Sequence, residues 1–117
     1  MLGPIYPAIS ALTGFGQKLG VTANNLANVN TDGYKKSRAL LEEAAPGGVN
    51  VTISKVNSPG SPLPPDRETA TVAESSNVMI EEEMVSLITT QHAYTANAKM
   101  VQAEKDMLGT VLDILDE

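Results

Sequence analysis

The chain has 117 residues, a formal net charge of −6 and no cysteine, so one domain is expected and disulfides and thiolate metal sites are excluded. It has no tryptophan and one phenylalanine, which predicts a small core, and it has no apolar run near the roughly 20 residues of a membrane span. The acidic balance argues against a nucleic-acid partner, because most of the surface would repel phosphates.

The first helical pattern begins near Ala8, after a start that contains two prolines, and we expect the helix to stop near Val29. Apolar residues recur along it at heptad spacing, which is typical of a coiled coil. The two rows are Ile5, Leu12, Leu19 and Leu26, and beside them Ala8, Phe15 and Val29. Gly14, Gly16 and Gly20 interrupt the helix, either because another backbone approaches closely there or because its first half is weak or kinked.

Four asparagines occupy the end of this helix within seven residues: Asn24, Asn25, Asn28 and Asn30. Amides of this kind cap an exposed helix end, or they fix register in an interface by satisfying a neighbour's backbone groups. We favour the interface. The following Thr31-Asp32-Gly33 is a turn signal, and Gly33 supplies a positive φ if the turn requires one.

The middle of the chain predicts a small β region followed by a proline-rich connector. Residues 36–45 suit a helix by propensity or the first arm of a hairpin closed by Pro46-Gly47-Gly48, and we prefer the hairpin. The second arm, residues 49–56, alternates apolar and polar side chains as a strand does. The connector, residues 58–66, is expected to be stiff and extended, and residues 68–73 are expected to form a short edge strand. Ser75-Ser76-Asn77 then offers helix caps.

A long second helix is predicted from Val78 onward, and its stretch from Ile80 to Leu115 would be roughly 50 Å long at 1.5 Å per residue. Two heptad rows run along it: Leu87, Tyr94, Val101, Leu108 and Leu115, and beside them Met84, Gln91, Ala98 and Leu112. Such a narrow apolar face must be covered by another helix.

The expected fold is therefore mainly α, with N-terminal and C-terminal helices packed as a coiled-coil-like hairpin and a small β-hairpin insert and Pro-rich loop between them. We treat residues 1–117 as one domain with an N-terminal helix and Asn-rich motif at 5–29, a turn, β region and loop at 30–77, and a long helix at 78–117. Two helices leave much apolar surface in water, so the periodicity also predicts self-assembly.

Charge is unevenly distributed along the chain. Residues 1–38 carry four cationic side chains against Asp32 alone, whereas residues 76–117 carry eight acidic ones against Lys99 and Lys105. This distribution favours pairing of the two ends, within a chain or between chains. Lys35, Lys36 and Arg38 would suit phosphate, but a solvated loop or a salt bridge to an acidic helix is the interpretation we favour.

Catalytic chemistry finds little support, and no catalytic, cofactor or metal site is predicted. His92 is the only histidine, and a di-iron bundle would want a glutamate three residues before it, where Thr89 stands. Glu81, Glu82 and Glu83 are consecutive, so they fan around the helix and do not converge on a metal.

Two sequence motifs lie at the two ends of the chain. The first is VTANNLANVNTDGYKKSRA, residues 21–39, which resembles the N-terminal signature of the flagellar rod, hook and hook-associated axial proteins, a helix ending in asparagines followed by Asn-Thr-x-Gly-Tyr/Phe-Lys. The C-terminal motif is matched by Ser76-Asn77-Val78, by Glu82-Glu83-Met84, by Gln91 to Lys99, and by Asp106, Leu108 and Leu112. Together the motifs cover about half of the chain, with only about 35 residues between them.

The resemblance implies an α-helical coiled-coil domain that lines the inner tube of an axial structure. It implies export through the flagellar type III apparatus without a cleaved signal peptide, in agreement with an N-terminus that does not resemble a Sec-type signal. It also implies termini that become ordered on polymerisation, and a location in the periplasmic rod of the basal body.

The first hypothesis is thus a structural subunit of the bacterial flagellar basal-body rod that polymerises through its terminal helices, with itself, other rod and hook axial subunits and the export apparatus as partners. The alternative is a non-polymerising axial-protein-like module that binds a flagellar export or assembly component. The residues expected to make the contacts are Leu12, Leu19, Asn24, Asn25, Leu26, Asn28, Asn30, Thr31, Gly33, Tyr34, Met84, Leu87, Gln91, Tyr94, Asn97, Ala98, Val101, Leu108 and Leu112.

Overall fold

A computed structural model describes residue 3 and residues 5–65 and 73–117 of the chain. It contains helix α1 (Ile5–Ala27), strands β1 (Ser37–Glu43) and β2 (Val49–Lys55), and helix α2 (Ile80–Leu115). The mainly helical fold with a β-hairpin insert is confirmed. Neither helix is long and apolar enough to cross a membrane, as far as the described residues go.

Helix α1 begins at Ile5, earlier than the pattern from Ala8 indicates, and it includes Pro7 in its first turn. Proline is tolerated there because first-turn N–H groups have no partner within the helix. Gly14 is buried, and a Cβ at this position would lie 3.1 Å from a methyl carbon of Val49 and of Val51. The close approach at Gly14 is therefore made by side chains of the hairpin and not by another backbone, and nothing lies within 4 Å of a Cβ at Gly16 or Gly20.

The β-hairpin over residues 37–55 is confirmed, and the alternative of a helix over residues 36–45 is wrong. β1 and β2 pair antiparallel with Ser37 opposite Lys55 and Glu43 opposite Val49. The turn closes with a 3.0 Å hydrogen bond from Ala44 N to Gly48 O, and Gly48 has a φ of 99°. Only glycine adopts such a φ without strain, which explains why the chain reverses at Pro46-Gly47-Gly48.

The hairpin lies along α1 and is held to it at both ends. Near the start of α1, Ser10 Oγ donates to Val49 O and accepts from Val49 N, each at 2.9 Å. Near its end, Asn25 binds the backbone of Ser37 at 2.8 and 3.0 Å. Helix and hairpin therefore form two layers that run side by side between Ser10 and Asn25.

Helix α2 begins at Ile80, and the predicted cap at residues 75–77 is wrong. The N-cap is Met79, which makes no side-chain cap hydrogen bond. Ser76 Oγ accepts from Val78 N at 3.1 Å, and the Asn77 side chain binds the loops before and after the hairpin. Glu81, Glu82 and Glu83 lie in the first turn, where the helix dipole favours negative charge.

The end of α1 meets the start of α2, so the two helices run antiparallel. Their contact is marked by Asn25 Nδ2, which donates to Glu83 Oε1 at 3.2 Å. The buried residues of α2 are Glu83, Thr90 and Glu104, and those of α1 are Ala8, Ala11, Gly14, Thr22 and Asn25. The contact between the helices is thus built largely from small and polar side chains.

One predicted row of α2 lies largely outside this contact. Met84 and Gln91 are exposed, because the face that packs on α1 is centred one residue earlier in each heptad, whereas Ala98 of the same row is half-buried. Leu112 is exposed because it lies beyond Glu104, the last buried residue of α2. The face that packs on α1 follows Glu83, Thr90, Asn97 and Glu104, which are polar and so escape a search for apolar periodicity. The other row lies closer to the contact: Leu87 and Val101 are half-buried, although Tyr94 and Leu108 are 40% exposed.

Between β2 and α2, the described residues carry a single isolated β-bridge, Pro62 to Glu74. The predicted edge strand at 68–73 falls almost entirely on residues outside the described ones, and the stiffness of the proline-rich connector stays a prediction.

The apolar core is small for a molecule of this shape. Its extents are 82 × 24 × 17 Å, and the buried hydrophobic residues of the described chain are Ala8, Ala11, Ala39 and Val78. A layer this thin cannot bury both faces of α2, which leaves one of them exposed along its whole length.

Candidate assembly site: the asparagine junction and the exposed face of α2

Asn25 lies at the centre of a junction that joins α1, the following loop, β1 and α2. Its side chain is 1% exposed. Nδ2 donates to Ser37 O at 2.8 Å and to Glu83 Oε1 at 3.2 Å, while Oδ1 accepts from Ser37 N at 3.0 Å and from Tyr34 Oη at 3.1 Å. The amide therefore pairs with Ser37 as a neighbouring strand would, and its donor and acceptor atoms are all satisfied.

Asn77 makes a second connection of the same kind on the other side of the junction. Its Oδ1 accepts from Lys36 N at 2.7 Å, and its Nδ2 donates to Val56 O at 2.8 Å and to Ser58 O at 3.0 Å. Asn77 N also donates to Tyr34 O at 3.3 Å. This single side chain thus holds together the segment that enters the hairpin and the segment that leaves it.

Two salt bridges join the basic early segment to acidic residues near α2. Lys36 Nζ lies 2.7 Å from Glu82 Oε2, and Lys35 Nζ lies 2.9 Å from Glu74 Oε2. The hydrogen bond and charge of Lys36 hold the pKa of Glu82 below its usual range, and those of Lys35 lower the pKa of Glu74. The salt bridge expected from the charge distribution is therefore present within the chain.

The other motif residues form the exit from α1. Asn28 Nδ2 donates to Asn24 O at 2.9 Å, and Thr31 Oγ1 donates to Asn28 Oδ1 at 3.1 Å. Asn24 Nδ2 donates to Tyr34 Oη at 3.3 Å. These bonds are local, so within this chain the asparagines act as the capping interpretation describes. A contact of the asparagines with another chain stays a prediction.

The turn after the helix depends on one glycine. Gly33 has a φ of 73°, and its N–H donates to Glu74 O at 2.8 Å. The expected need for a positive φ at this position is confirmed. Asn30 is exposed and makes none of the contacts described above.

The first half of α2 exposes an apolar row on the side away from α1. Ile80, Met84 and Ile88 follow one another at a spacing of four residues, and each is 44–51% exposed. Residues four apart lie on one face of a helix, so these side chains form a continuous stripe in solvent.

The last third of α2 extends beyond α1 and is exposed on all sides. Glu104 is the last buried residue, and after it every residue is exposed. Leu108, Val111, Leu112 and Leu115 follow i, i+3, i+4, i+7 spacing, and Val111 lies one heptad after Glu104. The exposed stripe of this overhang, residues 105–115, therefore continues the face that packs on α1. Leu112 is 62% exposed and Leu115 is 75% exposed.

The predicted contact residues thus divide by position. Half-buried against the rest of the chain are Leu12, Leu19, Leu26, Leu87, Asn97, Ala98 and Val101; exposed are Met84, Gln91, Tyr94, Leu108 and Leu112. Lys36, Asn77, Glu83 and Thr90 were not among the predicted contact residues although they are buried. The sequence carried a signal for two of them: Lys36 belongs to the cationic cluster at 35–38, and Asn77 belongs to the Ser-Asn-Val start of the C-terminal motif.

A cavity of about 280 Å³ lies beside the junction, between α1, β1 and the start of α2. Its walls include the cationic residues Lys18, Lys36 and Arg38, the carboxylates of Glu82 and Glu83, and the apolar residues Val21, Ala39 and Leu40. In the part of the chain that the structure describes, no group of three or more acidic, histidine or cysteine side chains is placed to hold a metal ion.

Comparison with known proteins gives matches at both ends of the chain and along its length. A family model described as flagella basal body rod protein matches residues 5–35, and one described as flagellar basal body rod FlgEFG protein C-terminal matches residues 70–114. The basal-body rod protein FlgG of Bacillus subtilis is 42% identical over 64 residues, which cover 50% of this chain and 24% of FlgG. FlgG of Borreliella burgdorferi is 50% identical over 38 residues, 32% of this chain and 14% of that protein.

This chain therefore spans about a quarter or less of the FlgG proteins that it matches. The rod protein FlgC of Escherichia coli O6:H1 is closer in length, since its 30% identity over 118 residues covers 85% of this chain and 86% of FlgC. A match along nearly the whole of a rod protein, together with the two family models in order at the chain ends, shows that the chain belongs to the flagellar basal-body rod protein family.

Proposed function

We propose that this chain is a structural subunit of the flagellar basal-body rod that polymerises through α1 and α2. Membership of the rod protein family supports a structural role in the rod. The partners of the chain would be further copies, other axial subunits and, during delivery, the flagellar export apparatus. Its place would be the periplasmic rod, reached without a cleaved signal peptide.

The observation that carries the proposal is the exposed overhang of α2. Its apolar stripe continues the face that packs on α1, so the surface is of the kind that pairs with a helix, but α1, which begins at Ile5, does not extend alongside it. Fully burying one leucine side chain is worth about 1.5–3 kcal/mol. Covering the four apolar residues of the overhang in an assembly would therefore supply much of the stabilisation that so small a core does not provide.

The junction supports assembly in a second way, because it fixes the angle at which the two helices leave it. Asn25 and Asn77 tie α1, the hairpin and α2 to one another through backbone and side-chain hydrogen bonds, as described above. A polymer repeats one contact many times, so a subunit with a variable angle between its helices could not extend it regularly. The junction is therefore a positioning element, and the exposed stripes of α2 are the contact surfaces.

A test compares two charged substitutions on opposite sides of the overhang. Leu112→Asp places a carboxylate in the apolar stripe, and we expect self-association measured by sedimentation velocity to fall at least tenfold. Thr110→Asp places the same charge on the opposite side of the helix, where the side chain is already exposed, and it should change association little.

The same variants are then examined in cells by mass spectrometry of purified basal bodies. The native chain is expected at several copies per rod, the Thr110→Asp variant at a similar level, and the Leu112→Asp variant at a strongly reduced level. Wild-type incorporation of Leu112→Asp would refute the proposed contact. Absence of the native chain from basal bodies while it is made in the cell would favour the module that binds an export or assembly component.

A further inference from the structure

The proline-rich connector has a period of three that the proposed function does not use. In its residues 58–65, SPGSPLPP, every third residue, Gly60 and Leu63, is half-buried, and the six others are exposed. A polyproline II helix has three residues per turn, so residues three apart lie along one edge of it. The burial pattern is therefore that of a polyproline II segment that rests one of its three edges on the protein.

The segment is held against residues 73–75 by its backbone. Leu63 N donates to Ala73 O at 2.8 Å, and Ser75 N donates to Ser61 O at 2.9 Å. Gly60 lies close enough to this stretch that a Cβ on it would overlap the carbonyl oxygen of Ser75. Because these contacts fix the conformation before any partner binds, the segment would lose little conformational entropy on binding.

The start of the segment is tied to the asparagine junction. Ser58 O accepts from Lys35 Nζ and from Asn77 Nδ2, each at 3.0 Å. Asn77 lies three residues before the start of α2, so the segment lies beside that end of the helix. It is therefore separate from the overhang at the other end of α2.

The two exposed edges of the segment carry four prolines. Pro59, Pro62 and Pro65 follow one another at a spacing of three along one edge, and Pro64 lies on the other. A proline has no N–H, so this surface is poorly suited to pairing with a further β-strand. It presents rigid apolar rings at the Pro-x-x-Pro spacing that grooves lined by aromatic side chains bind.

The chain itself lacks the rings that such a groove needs. It has no tryptophan, three tyrosines and one phenylalanine. Among the described residues, the exposed aromatic side chains are Tyr6, at the start of α1, and Tyr94, in the middle of α2. Single rings on two different helices do not line a groove, so a second copy of this chain is not the partner that the segment fits.

We propose that residues 58–65 are a polyproline II ligand for a groove lined by tryptophan and tyrosine rings in a protein other than this chain. Pro62 and Pro65 pack between the rings, and a tryptophan N–H or tyrosine O–H of the groove donates to a backbone carbonyl of the segment. The contact uses neither the exposed stripes of α2 nor its overhang, so it goes beyond the proposed function and does not depend on it.

The first test uses purified SH3, WW and EVH1 domains as probes, because each binds Pro-x-x-Pro segments in an aromatic groove. Since this chain has no tryptophan, tryptophan fluorescence in a mixture reports only on the probe domain. We expect the full chain to give a saturable change with at least one of the three domains. Pro62→Ala and Pro65→Ala should each weaken that binding about tenfold or more.

Pro64→Ala is the matched control. It removes the same ring from an exposed position of the same segment, but the Pro-x-x-Pro pattern leaves position 64 open, so affinity should change less than about twofold. Leu112→Asp, which is directed at the overhang, should leave the binding unchanged. Circular dichroism of each variant checks that the fold is retained.

A second test looks for the partner in cells. A benzophenone amino acid replaces Pro64, and mass spectrometry locates the cross-link that forms on illumination. We expect the cross-linked site to lie beside tryptophan or tyrosine in a different protein, and Pro62→Ala in the same chain to abolish the product. Cross-linking to another copy near Tyr6 or Tyr94 would make a second copy the partner and overturn the assignment.

The proposal is also overturned if the native chain changes the fluorescence of none of the three domains and gives no cross-link that depends on Pro62. Equal losses of affinity for Pro64→Ala and Pro62→Ala would exclude recognition of the Pro-x-x-Pro edge. None of these results bears on the rod function, because that function is tested at Leu112 and not in the connector.

Discussion

Replacing Asn25 with alanine should destabilise the fold more than any other single change in the asparagine-rich segment. The substitution removes four hydrogen bonds and leaves the N–H and C=O of Ser37 without partners, because both face Asn25. A part-buried group that loses its partner costs about 1–3 kcal/mol, and Glu83 loses a donor as well. We therefore expect a loss of about 3 kcal/mol in the free energy of unfolding, which corresponds to a decrease in Tm of about 12–24 °C for a domain of this size.

The assay is thermal unfolding followed by far-UV circular dichroism, at a concentration low enough to keep the chain monomeric. Asn24→Ala is the matched control, since Asn24 is exposed and its side chain makes two long bonds, donating to Tyr34 Oη at 3.3 Å and accepting from Asn28 Nδ2 at 3.2 Å. It should cost less than about 1 kcal/mol. If both variants unfold within about 0.5 kcal/mol of each other, Asn25 is not the junction residue that its burial and bonding indicate.

Three further predictions concern the helix contact, the glycines and the acidic residues. Thr90→Val should stabilise the monomer by about 1 kcal/mol in urea unfolding, because the buried Thr90 hydroxyl has no hydrogen-bond partner among the described residues; a destabilised variant would reveal a missed partner. Gly16→Ala should stabilise the helix by up to about 1 kcal/mol, since nothing lies within 4 Å of the new Cβ, whereas Gly14→Ala should gain less or lose, because its Cβ would lie 3.1 Å from two valine methyls. Equal effects of the two would contradict the packing of the hairpin on α1. Finally, the pKa values of Glu74 and Glu82 are held below their usual 4.5, so the unfolded chain binds protons first as the pH falls. The stabilisation by these carboxylates is present above pH 4.5 and is lost as the pH falls through their folded-state pKa values; Glu82→Gln should reduce the decline of the urea midpoint below pH 4.5, and an unchanged pH profile would refute the assignment.

The sequence was most informative where local chemistry decides the structure. Gly47-Gly48 after a proline predicted the reversal of the hairpin, and the alternation from Val49 onward predicted its second strand, since both depend on neighbouring residues alone. The two terminal helices were also predictable, whereas the approach at Gly14 is made by side chains of the hairpin and not by the backbone that the glycines suggested. The end motifs pointed to the axial-protein family, and the matches to rod proteins confirm it.

What the sequence could not indicate was which face of α2 packs on α1. Apolar periodicity favoured the row that contains Met84 and Leu112, whereas the structure buries Glu83 and Thr90. A polar residue is buried only where a specific partner satisfies it, and the partner of Glu83 is Asn25, 58 residues away in the chain. Such pairings depend on the tertiary arrangement, so no local pattern reveals them. Apolar periodicity on its own also does not distinguish a surface that contacts the same chain from one that contacts another.

The junction also determines where the chain tolerates a change in length. The N–H of Gly33 bonds to the carbonyl of Glu74, and Lys36 N bonds to the side chain of Asn77, so the excursion between the helices leaves and returns at one point. Because its two ends are clamped there, residues added in the proline-rich connector would not shift either helix, whereas the hairpin tip packs on α1, where a Cβ at Gly48 would lie 2.8 Å from Ser10 Oγ. A chain built on this plan can therefore change the length of its connector while the two helices keep their spacing.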